Sequence, residues 1–170
     1  PGVVLGVFVP GEGSWVYADG VADTTTDVAP TDEMSWPLRS VTKSFTVTVI
    51  LQLVRDQVLR LDDRLDQFIP GIPNGDRITL ADLAGMQSGI ADYSAQPAFQ
   101  EDFGSNPERS FTQAELVAYA IPASPVFAPG DQYQYSNTNT VLLGMVIEKV
   151  TGQALGSVLQ SRIFTPLGLS

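Results

Sequence analysis

The 170-residue sequence contains no cysteine and no histidine. Without thiolate or imidazole there can be no zinc or copper site built on those ligands, no cysteine nucleophile and no Ser-His-Asp triad. Positive charge is scarce too, with nine Lys and Arg against nineteen Asp and Glu and a net charge of -10 at pH 7. An acidic surface of that size repels phosphate backbones and anionic lipid headgroups, which argues against a nucleic-acid partner. No apolar run reaches membrane-spanning length: the longest, residues 45–54, is interrupted by Thr46, Thr48 and Gln52 and closes on Arg55 and Asp56. No secretory leader is seen in these residues; any targeting segment would lie outside them, and its absence here says nothing of targeting. Chemistry therefore falls to Ser, Thr, Lys, Tyr and carboxylates.

At 44% hydrophobic and 16% charged, the chain has the composition of one globular domain. Residues 3–9, closed by Pro10-Gly11-Glu12-Gly13 and followed by residues 14–18, predict a β-hairpin. Residues 34–38 read as a short strand. Beyond it, residues 38–69 lack both Gly and Pro, and their apolar spacing fits a helix of about twenty residues, buried centrally because its apolar surface wraps more than one face. Thr112 with Glu115 forms a capping box and Thr79 with Asp82 a weaker one. Asn137 or Thr138 is expected to cap a helix running to Thr151 with Gly152 as its stop, and a last helix starts near Ala154 and ends before Pro166. Residues 87–110 and 121–137 read as loops, the places where sites concentrate.

Two short constellations can carry chemistry. Ser40-Val41-Thr42-Lys43 lies where a strand would turn into the long helix, and residues three apart share a helix face, so the Lys43 ammonium can reach the Ser40 hydroxyl. A serine hydroxyl is a weak nucleophile until a neighbouring base or cation supports its alkoxide, and free N–H groups at a helix start can serve an oxyanion. The same four residues also read as an N-cap serine followed by a solvated lysine. Tyr135-Ser136-Asn137 opens the later helix. A phenol beside an ammonium ionises more easily and can act as a general base, and an Asn amide can donate and accept; the alternative is a core tyrosine with a capping asparagine. Asp62, Asp63 and Asp66 lack the glycine turn of a calcium loop and read as caps and solvated charges.

Ser40 to Phe45, the turn over residues 59–63, Arg77 to Leu80 with Ser88-Gly89-Ile90, residues 127–130 and residues 135–144 occur in the order found in the serine penicillin-recognising hydrolases, and the chain resembles that family. Within it, the likeness is nearest to secreted D-alanyl-D-alanine carboxypeptidases related to class C β-lactamases; carboxylesterases and D-amino-acid peptidases share the scaffold. The resemblance implies an α+β fold, a sandwich of antiparallel sheet and helices beside an all-helical region. Residues 1–60 would hold sheet strands and the nucleophile helix, and residues 61–170 the mostly helical part. It also implies Ser40 as the acylated nucleophile, Lys43 as its activator, Tyr135 as proton shuttle and Asn137 as the group that orients the substrate amide. No cofactor and no metal is implied. The implied substrates are peptidoglycan stem peptides ending in D-Ala-D-Ala or β-lactams, with a carboxylesterase or a non-catalytic penicillin-binding or sensing module as alternatives, and the implied location is extracellular or periplasmic, at the cell envelope.

Two departures stand out. The residue before the nucleophile, usually small in that family, is Arg39, which would either crowd the site or add a cation to it. The family's third box is not found: Lys149-Val150-Thr151-Gly152 carries one residue too many and reads as a helix C-cap. The C-terminal half of the domain, with further strands, is expected to be missing from these residues, which alone would acylate poorly.

Overall fold

The Pro-Gly turn does what its composition predicts. Strand β1 (Gly2–Val9) pairs antiparallel with β2 (Gly13–Gly20), Val7 opposite Trp15 and Leu5 opposite Tyr17. Because side chains alternate along a strand, these four residues share one face with Val3 and Val9, and Trp15 stacks on Tyr17 with ring centroids 5.9 Å apart. On the other face Phe8 lies over Gly6, where a Cβ would come within 2.6 Å of a Phe8 ring carbon. The computed structural model describes residues 2–169 and divides into two units, Pro1–Arg39 and Ser40–Ser170. The first unit holds this hairpin, and residues 34–38, expected as a strand, are irregular there. Pro37 in the middle of that run has no N–H to give a ladder.

The second unit is helical: α1 (Thr42–Arg55), α2 (Leu80–Ala84), α3 (Pro97–Ser105), α4 (Gln113–Ala120), α5 (Asn137–Thr151), α6 (Leu155–Leu159) and α7 (Thr165–Leu167). Helix α1 has 14 residues and stops well short of the expected run. Gln57 turns left-handed at φ 60°, and the Val58 and Leu59 N–H groups both fold back onto the Leu53 carbonyl. Nor is α1 the central helix: Leu53, Val49 and Ile50 are buried, but Leu51 is 49% exposed. The centre is α5, whose Leu142, Leu143, Val146 and Ile147 are fully buried against α1, α2 and α4. Burial of such side chains stabilises by roughly 1.5–3 kcal/mol each.

Both capping boxes form as expected, Thr79 with Asp82 at α2 and Thr112 with Glu115 at α4. Helix α3 lies inside a segment expected to be loop, started by Pro97 in its first turn, where the missing N–H costs nothing. The cap of α5 is Ser136 rather than Asn137 or Thr138, and Gly152 stops the helix at φ 67°. After α6 a π-helical turn, Gln160–Phe164, leads into α7, which takes up Pro166 in its first turn and ends at Gly168, φ 66°. The chain thus does not end its last helix before Pro166.

The irregular segment of residues 121–136 runs beside residues 86–89. Val126 donates to the Gly89 carbonyl at 2.9 Å, Gly130 to Gln87 at 2.9 Å and Gln134 to Met86 at 3.0 Å. Gly89 is required here: it is left-handed at φ 73°, and a Cβ would overlap the Phe127 carbonyl. This lacing delivers Tyr135 to the start of α5.

Candidate active site

Ser40 sits in the tight turn Arg39–Val41 that opens into α1, and Lys43 lies in the first turn of the helix. Their spacing places the Lys43 ammonium where Nζ donates to Ser40 Oγ at 3.1 Å. Arg39 itself is left-handed at φ 46°, a conformation uncommon for a residue with a side chain.

Tyr135, 95 positions further along, brings its Oη to 2.9 Å from Ser40 Oγ. The Lys43 ammonium stands 5.1 Å from the centre of the same ring. Tyr135 Oη in turn donates to Asn137 Oδ1 at 3.3 Å. With the phenol protonated, one arrangement of protons satisfies all three links: Lys43 donates to Ser40, Ser40 to Tyr135, and Tyr135 to Asn137. The serine proton therefore already points at the phenol oxygen. The Lys43 ammonium and, after it, the Ser40 hydroxyl hold the Tyr135 phenol below its ordinary value, against a smaller opposing effect of burial. All four residues singled out from the sequence meet here. Lys43 is half-buried rather than deeply enclosed, and Ser40 is open to solvent.

Asn137 is the first residue of α5, and because Ser136 takes the capping position its side chain is free for other partners. Its amide nitrogen donates to Asp92 Oδ2 at 2.9 Å, to Asp92 Oδ1 at 3.3 Å and to Ser94 Oγ at 3.2 Å. The next two residues grip the same segment. Thr138 Oγ1 donates to the Ala91 carbonyl at 2.8 Å and accepts from the Tyr93 N–H at 3.0 Å, and Ser88 donates to Asn139 Oδ1. Residues 88–94 are thus tied to the first turn of α5 by three consecutive side chains.

Sequence reasoning did not find Asp92 and Ser94, and used Ser88 only as part of a segment likeness. A single acid in a loop has no period, and its partner lies 45 positions away. One local signal existed: Asp92 accepts the Ser94 N–H at 3.0 Å, the Asx turn that Asp-x-Ser favours. Elsewhere Asp63 accepts the Arg60 N–H at 2.7 Å and Asp62 pairs with the Arg60 guanidinium at 2.9 Å, the structural roles expected of them. Lys149 to Gly152 closes α5 as a helix end. The cavity lined by Ile72, Ile90, Val117 and Leu142 includes none of the four site residues.

A serine hydroxyl, an ammonium and a phenol gathered at a helix start, with no imidazole, define a site of the Ser-x-x-Lys class. The family model described as Beta-lactamase matches residues 1–170, and the chain belongs to that family. It is 35% identical to a D-aminopeptidase of Brucella anthropi, covering 99% of this chain and 32% of that protein. It is 33% identical to penicillin-binding protein 4 of Amycolatopsis lactamdurans, covering 99% of this chain and 43% of that one. The D-amino acid amidase of Ochrobactrum anthropi SV3, solved with D-phenylalanine, superposes with a TM-score of 0.87 at 32% identity over 98% of this chain and 45% of its own. The chain thus spans less than half the length of these relatives, and its α+β fold is that of the family.

Proposed function

We propose that Ser40 is the nucleophile of a serine acyl-transfer hydrolase acting on amides and peptides of D-amino acids. The observation that carries this reading is the contact of Ser40 Oγ with both Lys43 Nζ, 3.1 Å, and Tyr135 Oη, 2.9 Å. Attack of Oγ on the substrate carbonyl forms the C–O bond as the serine proton passes to a Tyr135 phenolate, while Lys43 steadies the alkoxide. Collapse of the tetrahedral intermediate breaks the C–N bond, and Tyr135 returns the proton to the leaving amine. Water then attacks the ester on Ser40 by the same relay, releasing the acid. No imidazole is needed, in keeping with a sequence that has none.

The substrate class is inferred from the relatives, whose names speak of D-amino acids and of penicillin. A peptide ending in D-Ala-D-Ala falls within this class, as does a β-lactam that acylates and is released slowly. Mass spectrometry of the full-length protein after incubation with a penicillin tests the reading: an adduct is expected on the peptide carrying Ser40 and none in Ser40→Ala. An adduct that persists in Ser40→Ala overturns it, and turnover of simple esters alone replaces the substrate class.

A further inference from the structure

Asn137 would ordinarily offer a substrate both a donor and an acceptor. Here its two N–H groups face the Asp92 carboxylate and the Ser94 hydroxyl, three contacts of 2.9–3.3 Å. The opposite orientation of the amide would press Oδ1 against two carboxylate oxygens and leave its nitrogen facing the Tyr135 hydroxyl, so electrostatics fixes the flip. What remains toward Ser40 and Tyr135 is the Asn137 carbonyl oxygen, an acceptor, backed by a negative carboxylate and held by Tyr135 at a long 3.3 Å. A second lone pair on that oxygen has no partner among the hydrogen bonds of the described residues.

We propose that Asp92 is a positioning residue which, with Ser94, engages the N–H groups of Asn137 and so makes this corner of the site select substrates bearing an N–H donor, a free ammonium above all, over substrates presenting an acyl carbonyl. The inference rests on the reading of Ser40 as an acyl-transfer nucleophile and adds the polarity of its substrate. A carbonyl oxygen brought to Asn137 Oδ1 meets another acceptor and the field of Asp92; an ammonium meets a lone pair and a compensating charge.

Binding is measured by titration calorimetry on Ser40→Ala, which cannot turn ligand over, with D-phenylalanine amide and N-acetyl-D-phenylalanine amide. The free amine is expected to bind about tenfold or more tightly than the N-acetyl compound, the scale of one charge-assisted contact. Adding Asp92→Asn, which lets both amides rotate and removes the charge, is expected to bring the ratio to within about threefold. Adding Ser94→Ala instead is expected to lower the ratio partway, and it serves as the second variant should Asp92→Asn fail to fold. Equal binding of the two ligands, preference for the N-acetyl compound, no binding of either, or equal weakening of both on substitution overturns the proposal. A retained preference for the amine in a protein whose Ser40 is never acylated leaves this assignment standing and removes the catalytic one.

Discussion

At the scale of single residues, the site is a one-way chain of hydrogen bonds donated from Lys43 to Ser40, from Ser40 to Tyr135 and from Tyr135 to Asn137. Replacing Tyr135 by Phe removes the acceptor and keeps the ring under the ammonium. The expected result is an amide-hydrolysis kcat lowered by about 10²–10⁴-fold with unchanged unfolding temperature, read by steady-state kinetics and calorimetry. Tyrosine absorbance supplies a second measurement. Lys43 lowers the Tyr135 phenol, whereas Tyr93 is raised by burial, then by Asp92, and Tyr119 is raised by the hydrogen bond it gives Asp102. Tyr135 should therefore ionise before Tyr93 and Tyr119 as alkali is added, and the early step should vanish in Tyr135→Phe. The fold favours the phenolate form of Tyr135. Its share of stability is accordingly present above the ordinary value of 10.0 and is lost as the pH falls through the lower native one.

At the scale of elements, the lacing of residues 121–136 onto residues 86–89 decides whether Tyr135 arrives. Gly89→Ala combines a left-handed backbone with an overlap at the Phe127 carbonyl, and is expected to cost about 2–4 kcal/mol, measured by urea denaturation, with loss of the early tyrosine titration. Much at this scale was legible beforehand, because turns and caps are local: the Pro-Gly hairpin, both capping boxes and Gly152 all follow from residues within four positions of one another. What stayed hidden was decided by tertiary context or by one contrary residue. Gln57 entered a left-handed turn with no glycine to announce it, Pro37 denied a strand its donor, and Pro97 began a helix in a segment whose Gly, Ser and Asn content suggested none. The alcohol, the ammonium, the phenol and the amide were readable as two short spacings. Their approach across 95 positions came from the resemblance, and Asp92 from neither.

Across these 170 residues, charge is the governing quantity. A net -10 draws cations and repels anions over distances set by screening, about 10 Å at 0.1 M salt. A substrate with a free ammonium should consequently show a KM that rises severalfold between about 20 mM and 500 mM salt, while its neutral N-acetyl counterpart changes little; initial-rate measurements at both ionic strengths check this. The four site residues and Asp92 all fall within Ser40–Ser170, so their arrangement is drawn from one packed unit. Within that unit, the alcohol sits in the turn that opens into α1 and the amine in the first turn of that helix, whereas the amide is steered by the segment pinned to the opening turn of α5. On the proposed reading, attacking group and substrate reader are carried by different pieces of the polymer, so laboratory evolution confined to residues 90–95 is expected to retune which amines are accepted while the attacking serine and its partners stay as they are.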